Sequence, residues 1–249
     1  MFVHTDYLVI NYGVDSQIAK FFVDRDPPAN NLYWHEKLLY LRPSPGYLFI
    51  PLIVDLLYKM GIDKQQLLSD VFISKMEAIG HISALEETKQ ITQEEAIKQS
   101  LQLILTDNKN ENWVFCINQY FEKLPTSSLR KQSTPFNALH RGDLFLFSIA
   151  ALHFPETLTN NIAEGWFALI STLLLLDDGD DLPNDLKSGE ENAIIESGMN
   201  IDGWNRIQDL VKRNLTTIEK YNKTMAKQLY KSHQKLATLP HISSIINQQ

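Results

Sequence analysis

The feature that most constrains this chain is an apolar run that ends abruptly in acid. Residues 163–176 are fourteen mostly apolar positions, and AspAspGlyAspAsp (177–181) follows them without a break. So long an apolar stretch must be covered on all sides by other elements. It contains Glu164 and Gly165 and stops at two aspartates, so it is too short to span a bilayer. We expect a central helix whose last turns reach the rim of the core.

The rest of the chain reads as helices. Glycine and proline number 10 each in 249 residues. There are no convincing period-2 strands, Asn-Gly or Asp-Gly hairpins, or repeats. Apolar spacing predicts helices over 33–41, 47–60, 63–80, 92–105, 112–124, 136–154 and 157–181, and one long helix over 203–239. Pro43 and Pro45 stop the first, Gly61 closes the second, and Thr92 with Glu95 forms a capping-box pattern. The stretch 126–134 reads as a polar loop and 23–31 as a turn. No linker divides the chain, so the expectation is an all-α, single-domain bundle of about ten helices spanning 1–249.

Charge and cysteine content narrow the function. The net charge is −7, which argues against a nucleic-acid binder. A single cysteine, Cys116, cannot form an internal disulfide; the apolar residues around it suggest a buried small hydrophobe. The N-terminus shows no basic region or cleavage site of a signal peptide, so a cytoplasmic protein is expected. The seven histidines show no zinc spacing. No phosphate loop, dinucleotide fingerprint or nucleophile elbow is present.

The acids are the strongest chemical signal. Continued as a helix, Asp177, Asp178, Asp181 and Asp185 fall at about 0°, 100°, 40° and 80°, while Asp180 points elsewhere. Four carboxylates on one stripe repel one another and weaken the helix. Divalent cations relieve that repulsion, and hard Mg²⁺ bound through one or two carboxylates, waters and substrate phosphate suits such a set. An EF-hand is the weaker reading, because the loop lacks alternating acids followed by Gly and a closing Glu. The bland alternative is a solvated acidic turn. Pro183 removes the amide that would bond to the Gly179 carbonyl, so the helix kinks there or restarts.

This segment resembles the second aspartate-rich region of the class I isoprenoid synthases. The resemblance rests on AspAspGlyAspAsp followed by AsnAspLeuLysSerGlyGluGluAsn (184–192). Residues 41–61, with their ArgPro start, and the tail around AlaThrLeuPro (237–240) are similar to other parts of that family. The resemblance implies an isoprenoid-synthase-like fold and a Mg²⁺-dependent enzyme acting on a prenyl diphosphate, as a prenyltransferase or terpene-synthase-like catalyst. Asp177, Asp178 and Asp181 would be catalytic, with Asp185 as a further metal ligand, and Arg141 and Lys187 would bind substrate. The family's first aspartate motif has no counterpart before residue 177. Glu86 and Glu87 stand where it would fall; Asp143 and Glu164 are isolated. A catalytically inactive partner or regulatory subunit, as a homodimer or beside a catalytic paralogue, therefore stays open, as does a purely structural bundle.

Several residues carry two readings. Arg141 could grip a diphosphate or pair locally with Asp143. Asp55, alone in an apolar helix, must be hydrogen-bonded or face a cavity; a structural role is expected. Phe145, Phe147, Trp166 and Phe167 could line a prenyl pocket or simply pack. Lys220, Lys223 and Lys227 could meet phosphate or solvent. The enzyme reading also predicts the acids at the mouth of a deep pocket, with a basic side chain pointing in.

Overall fold

A computed structural model describes residues 4–26, 28–32 and 48–247. The helix expected over 33–41, its proline stop and the start of the 41–61 resemblance lie outside the described residues. Among the described residues every regular element is a helix. The α-helices are α1 Thr5–Tyr12, α2 Ser16–Asp24, α3 Phe49–Lys59, α4 Lys64–Leu67, α5 Asp70–Glu87, α6 Gln93–Leu105, α7 Glu111–Phe121, α8 Ser128–Gln132, α9 Thr159–Ser188, α10 Ala193–Glu196, α11 Ile201–Glu219, α12 Lys223–Leu236 and α13 Pro240–Ile246.

Helix α9 runs through the middle, against α3, α8, α11, α12 and α13. Its apolar half is buried, including Trp166, Leu169 and Leu173. Two polar side chains on it are served from α11: Asn214 Nδ2 donates to Ser171 Oγ at 2.8 Å and to Thr172 Oγ1 at 3.2 Å. A buried amide satisfied this way fixes the register of two helices more tightly than apolar contact alone.

Four expectations are corrected. The stretch 136–154 is not an α-helix but two 3-10 helices, Asn137–His140 and Asp143–Ala151. All nine residues of the second are buried, and it packs against α5, α6 and α7. A three-residue period spreads those side chains over all three neighbours. The stretch 63–80 divides into α4 and α5, because Ser69 caps the Phe72 amide. The polar stretch 126–134 holds the short helix α8, capped by Ser127. The single helix expected over 203–239 is α11 and α12, with α13 following. Asn222 breaks it: its Oδ1 accepts the Met225 amide while its Nδ2 donates to Asp55 Oδ2.

Asp55 is wholly buried and structural. Its carboxylate accepts the Asp15 amide at 2.7 Å, Asn222 at 2.9 Å and the Lys59 ammonium at 2.8 Å. Burial still pushes its pKa up against those donors. One carboxylate thus ties the turn before α2, helix α3 and the start of α12.

Helix α9 neither stops at Asp181 nor restarts at Pro183; it continues to Ser188. The Gly179 carbonyl that Pro183 leaves without an amide is bonded by His241 Nε2 at 2.7 Å. Gly179 also admits α12: a Cβ there would meet Leu236 Cδ1 at 2.3 Å. Gly189, at φ 76°, ends the helix in the left-handed conformation that glycine adopts without strain.

Candidate functional site

The last turns of α9 carry the acids, and the fold divides them into two pairs. Asp178 and Asp185 are buried, with 2% and 8% exposure. Asp178 Oδ1 accepts Arg141 Nη2 at 2.6 Å, and its Oδ2 accepts the Ala193 amide at 2.7 Å. Asp185 Oδ2 accepts Asn192 Nδ2 at 2.7 Å, and that amide group also donates to the Asp178 carbonyl. Asn192 Oδ1 meanwhile caps α10 through the Ile194 and Ile195 amides. These two aspartates therefore hold the segment after α9 back onto the helix.

Arg141 sits at the centre of this arrangement. The alternative of a local pair with Asp143 is corrected: its Nη2 reaches Asp178 and its Nη1 donates to the Glu191 carbonyl at 2.9 Å. Asp143 pairs instead with His140, at 2.7 Å, and receives the Tyr120 hydroxyl. Glu196 fastens the other end of this layer, accepting the Asn137 and Ala138 amides at 2.9 and 3.0 Å. Burial works against the Arg141 charge, but Asp178, Asp177 and Glu87 together raise its pKa.

Asp177 and Asp181 differ from their neighbours. Neither accepts a hydrogen bond from the described residues. Asp177 is half-buried and Asp181 exposed. Burial, with the Asp181 charge next in weight, pushes the Asp177 pKa up to about 6. The two are one helical turn apart, neighbours on the helix surface. Asp180 is exposed, off that stripe.

The C-terminal end of α5 approaches the same place. Glu87 acts electrostatically on Arg141, as Asp177 does. The Glu86 pKa is raised by its partial burial and then by Glu87 and Glu191. Of the isolated acids, Glu164 pairs with Lys220 at 3.8 Å and Asp143 with His140. Lys187 is exposed on the last turn of α9, about 15 Å along the axis from Asp177.

The donor set of Asp177 and Asp181 fits Mg²⁺. A crowded, half-buried carboxylate without a hydrogen-bond donor gains most from a cation, and Mg²⁺ is commonly held by one or two carboxylates with waters. Among the described residues no group of three or more His, Cys, Asp or Glu side chains is gathered into a preformed metal site. The aromatic residues proposed for a pocket are core: Phe145 packs edge-on to Phe49 at 4.8 Å, Phe147 stacks on Phe121, and Phe167 meets Tyr120. A shallow groove lies elsewhere, lined by Gln17, Lys20, Phe21 and Asp24 of α2 with Leu68, and none of the α9 acids borders it.

Sequence reasoning missed Asn192, Glu196, His241 and the Tyr120–His140–Asp143 group. Only His241 left a trace, since Pro183 announces an orphaned Gly179 carbonyl without naming its partner. No family model, curated protein or solved structure matches the chain. No described helix is long and apolar enough to cross a membrane.

Proposed function

We propose that the protein is a Mg²⁺-dependent, isoprenoid-synthase-like enzyme acting on a prenyl diphosphate in the cytoplasm. One observation supports this reading most: the Arg141 guanidinium, bonded to Asp178, also feels the charges of Asp177 on α9 and of Glu87 at the end of α5. A diphosphate bridged by cations requires acids on two elements, and Glu87 would be the α5 candidate for the second. Asp177 and Asp181 would hold Mg²⁺, with Asp178 and Asp185 holding the surrounding frame. Bound Mg²⁺ would supply Lewis-acid stabilisation of the diphosphate leaving group.

The chain's own residues do the positioning. Asp178 fixes the Arg141 side chain through one nitrogen. A guanidinium has five N–H donors, so others stay available for phosphate oxygens. Lys187 would bind substrate from the far end of α9. In an assay of diphosphate release from allylic prenyl diphosphates, Asp177→Ala and Asp181→Ala should each abolish the Mg²⁺-dependent rate while helicity is retained. Full activity in the double variant would contradict the proposal.

A second reading is an inactive partner or regulatory subunit of the same fold, as a homodimer or beside a catalytic paralogue. It is favoured by the commitment of Asp178 and Asp185 to internal bonds. It predicts no turnover by the isolated chain and an altered product when the paralogue is present.

A further inference from the structure

Charge along this chain is segregated. Residues 220–249 contain five lysines and no aspartate or glutamate, leaving −12 for the rest of a chain whose total is −7. Four of the five are Lys223, Lys227, Lys231 and Lys235 of α12, each four residues from the next and each exposed. At about 100° per residue they form one stripe about 18 Å long on the outer face. The opposite face, Met225, Ala226, Leu229, His233 and Leu236, is buried.

This arrangement opposes the stability of the helix. Like charges four residues apart repel, and Lys223 opens the helix at its positive end, although Lys235 in the last turn meets the negative one. None of the four has an ion-pair partner among the described residues, although acids abound elsewhere. Helix α11 beside it mixes signs, with Asp202, Asp209 and Glu219 among Arg206, Lys212 and Arg213. A face kept free of acids, at a cost to its own helix, suits a polyanionic partner.

We propose that α12 is a peripheral docking face for an anionic lipid bilayer. The stripe holds lysine but no arginine, the residue that planar, bidentate phosphate recognition in nucleic acids favours. Tyr230, 50% exposed, stands beside the lysines, where an amphipathic ring meets lipid headgroups. The apolar face of α12 is already in the core, so the helix rests on the surface without inserting. Ile10, 72% exposed, lies on α1, which packs against α12. Such contact is electrostatic, reversible and sensitive to salt.

The test is co-sedimentation of the full chain with vesicles of phosphatidylcholine alone or mixed with phosphatidylglycerol. We expect binding to the mixed vesicles only, released by ~1 M salt, where the screening length falls to about 3 Å. Lys227→Gln and Lys231→Gln should each weaken binding by about fivefold, and Lys212→Gln on α11 should not. Circular dichroism should show both α12 variants as helical as the wild type, since neither side chain is buried. Absence of binding to the mixed vesicles, equal binding to neutral ones, or indifference to Lys227 and Lys231 would overturn the proposal. So would tighter, lysine-dependent binding to duplex DNA, which would make the partner a nucleic acid.

Discussion

Asp55 and Asp177 are both carboxylates raised by burial on apolar helices, and they have opposite fates. Around Asp55 the fold gathers an amide, a side-chain amide and an ammonium from three separate segments. Around Asp177 it gathers Asp181, Asp178 and Asp180, with Arg141 opposing them through space, and among the described residues no donor bonds to it. The same desolvation is countered by bonded donors in one place and only by the through-space charge of Arg141 in the other. A carboxylate that folding bonds ties segments of the chain together; one that folding leaves crowded is a site for something the chain does not itself contain. Asp178 and Asp185 show that the contrast operates within a single acidic run.

The largest expected effect breaks the closed side of the comparison. Asp55→Ala strands the Asn222 amide and the Asp15 N–H and leaves Lys59 unpaired, so it should destabilise the protein by about 3 kcal/mol in urea unfolding. A loss under ~1 kcal/mol would show that these groups find water instead.

Asp178→Ala sharpens the division within α9. It removes the partner of Arg141 and of the Ala193 amide and should cost about 2 kcal/mol. Hydrogen exchange should locate the damage in residues 189–196, with the apolar half of α9 still protected.

Asp177→Asn should act in the opposite direction. The folded pKa, about 6, lies above the ordinary value of 3.8. The native state therefore binds this proton more tightly than the unfolded chain, and wild-type stability falls as pH rises between those values. The variant should be more stable by about 3 kcal/mol at pH 7, less whatever solvent screens at this half-buried group, with the gain vanishing near pH 4. His233, whose pKa burial lowers to about 4, titrates over an overlapping range in both proteins and cancels in the difference. Equal stability at every pH would mean that Asp177 is solvated as freely as any surface acid.

The legibility of these features in the sequence follows their range. The all-helical class was readable, because apolar spacing and caps are local: Thr92 does accept the Glu95 amide, at 3.2 Å. The break between α11 and α12 was not, since Asn222 caps α12 while bonded to a carboxylate 167 positions away. The acidic stripe was legible as a stripe. Its division into used and unused acids was not, because the donors come from Arg141, Asn192 and the Ala193 amide, and only folding brings them together. Likewise, periodicity could not distinguish the 3-10 winding of 143–151 from an α-helix, because every one of those residues is buried and no polar face marks the period.

The most direct test is a calorimetric titration of Mg²⁺ into the protein with inorganic diphosphate present. Beyond the heat of Mg²⁺ and diphosphate combining in buffer alone, the wild type should bind saturably, Asp177→Asn and Asp181→Asn should lose that excess heat, and the charge-preserving Asp177→Glu should retain part of it. No saturable heat in the wild type, or the same heat in the Asp177→Asn, Asp181→Asn double variant, would contradict the claim that folding leaves these two carboxylates for a cation.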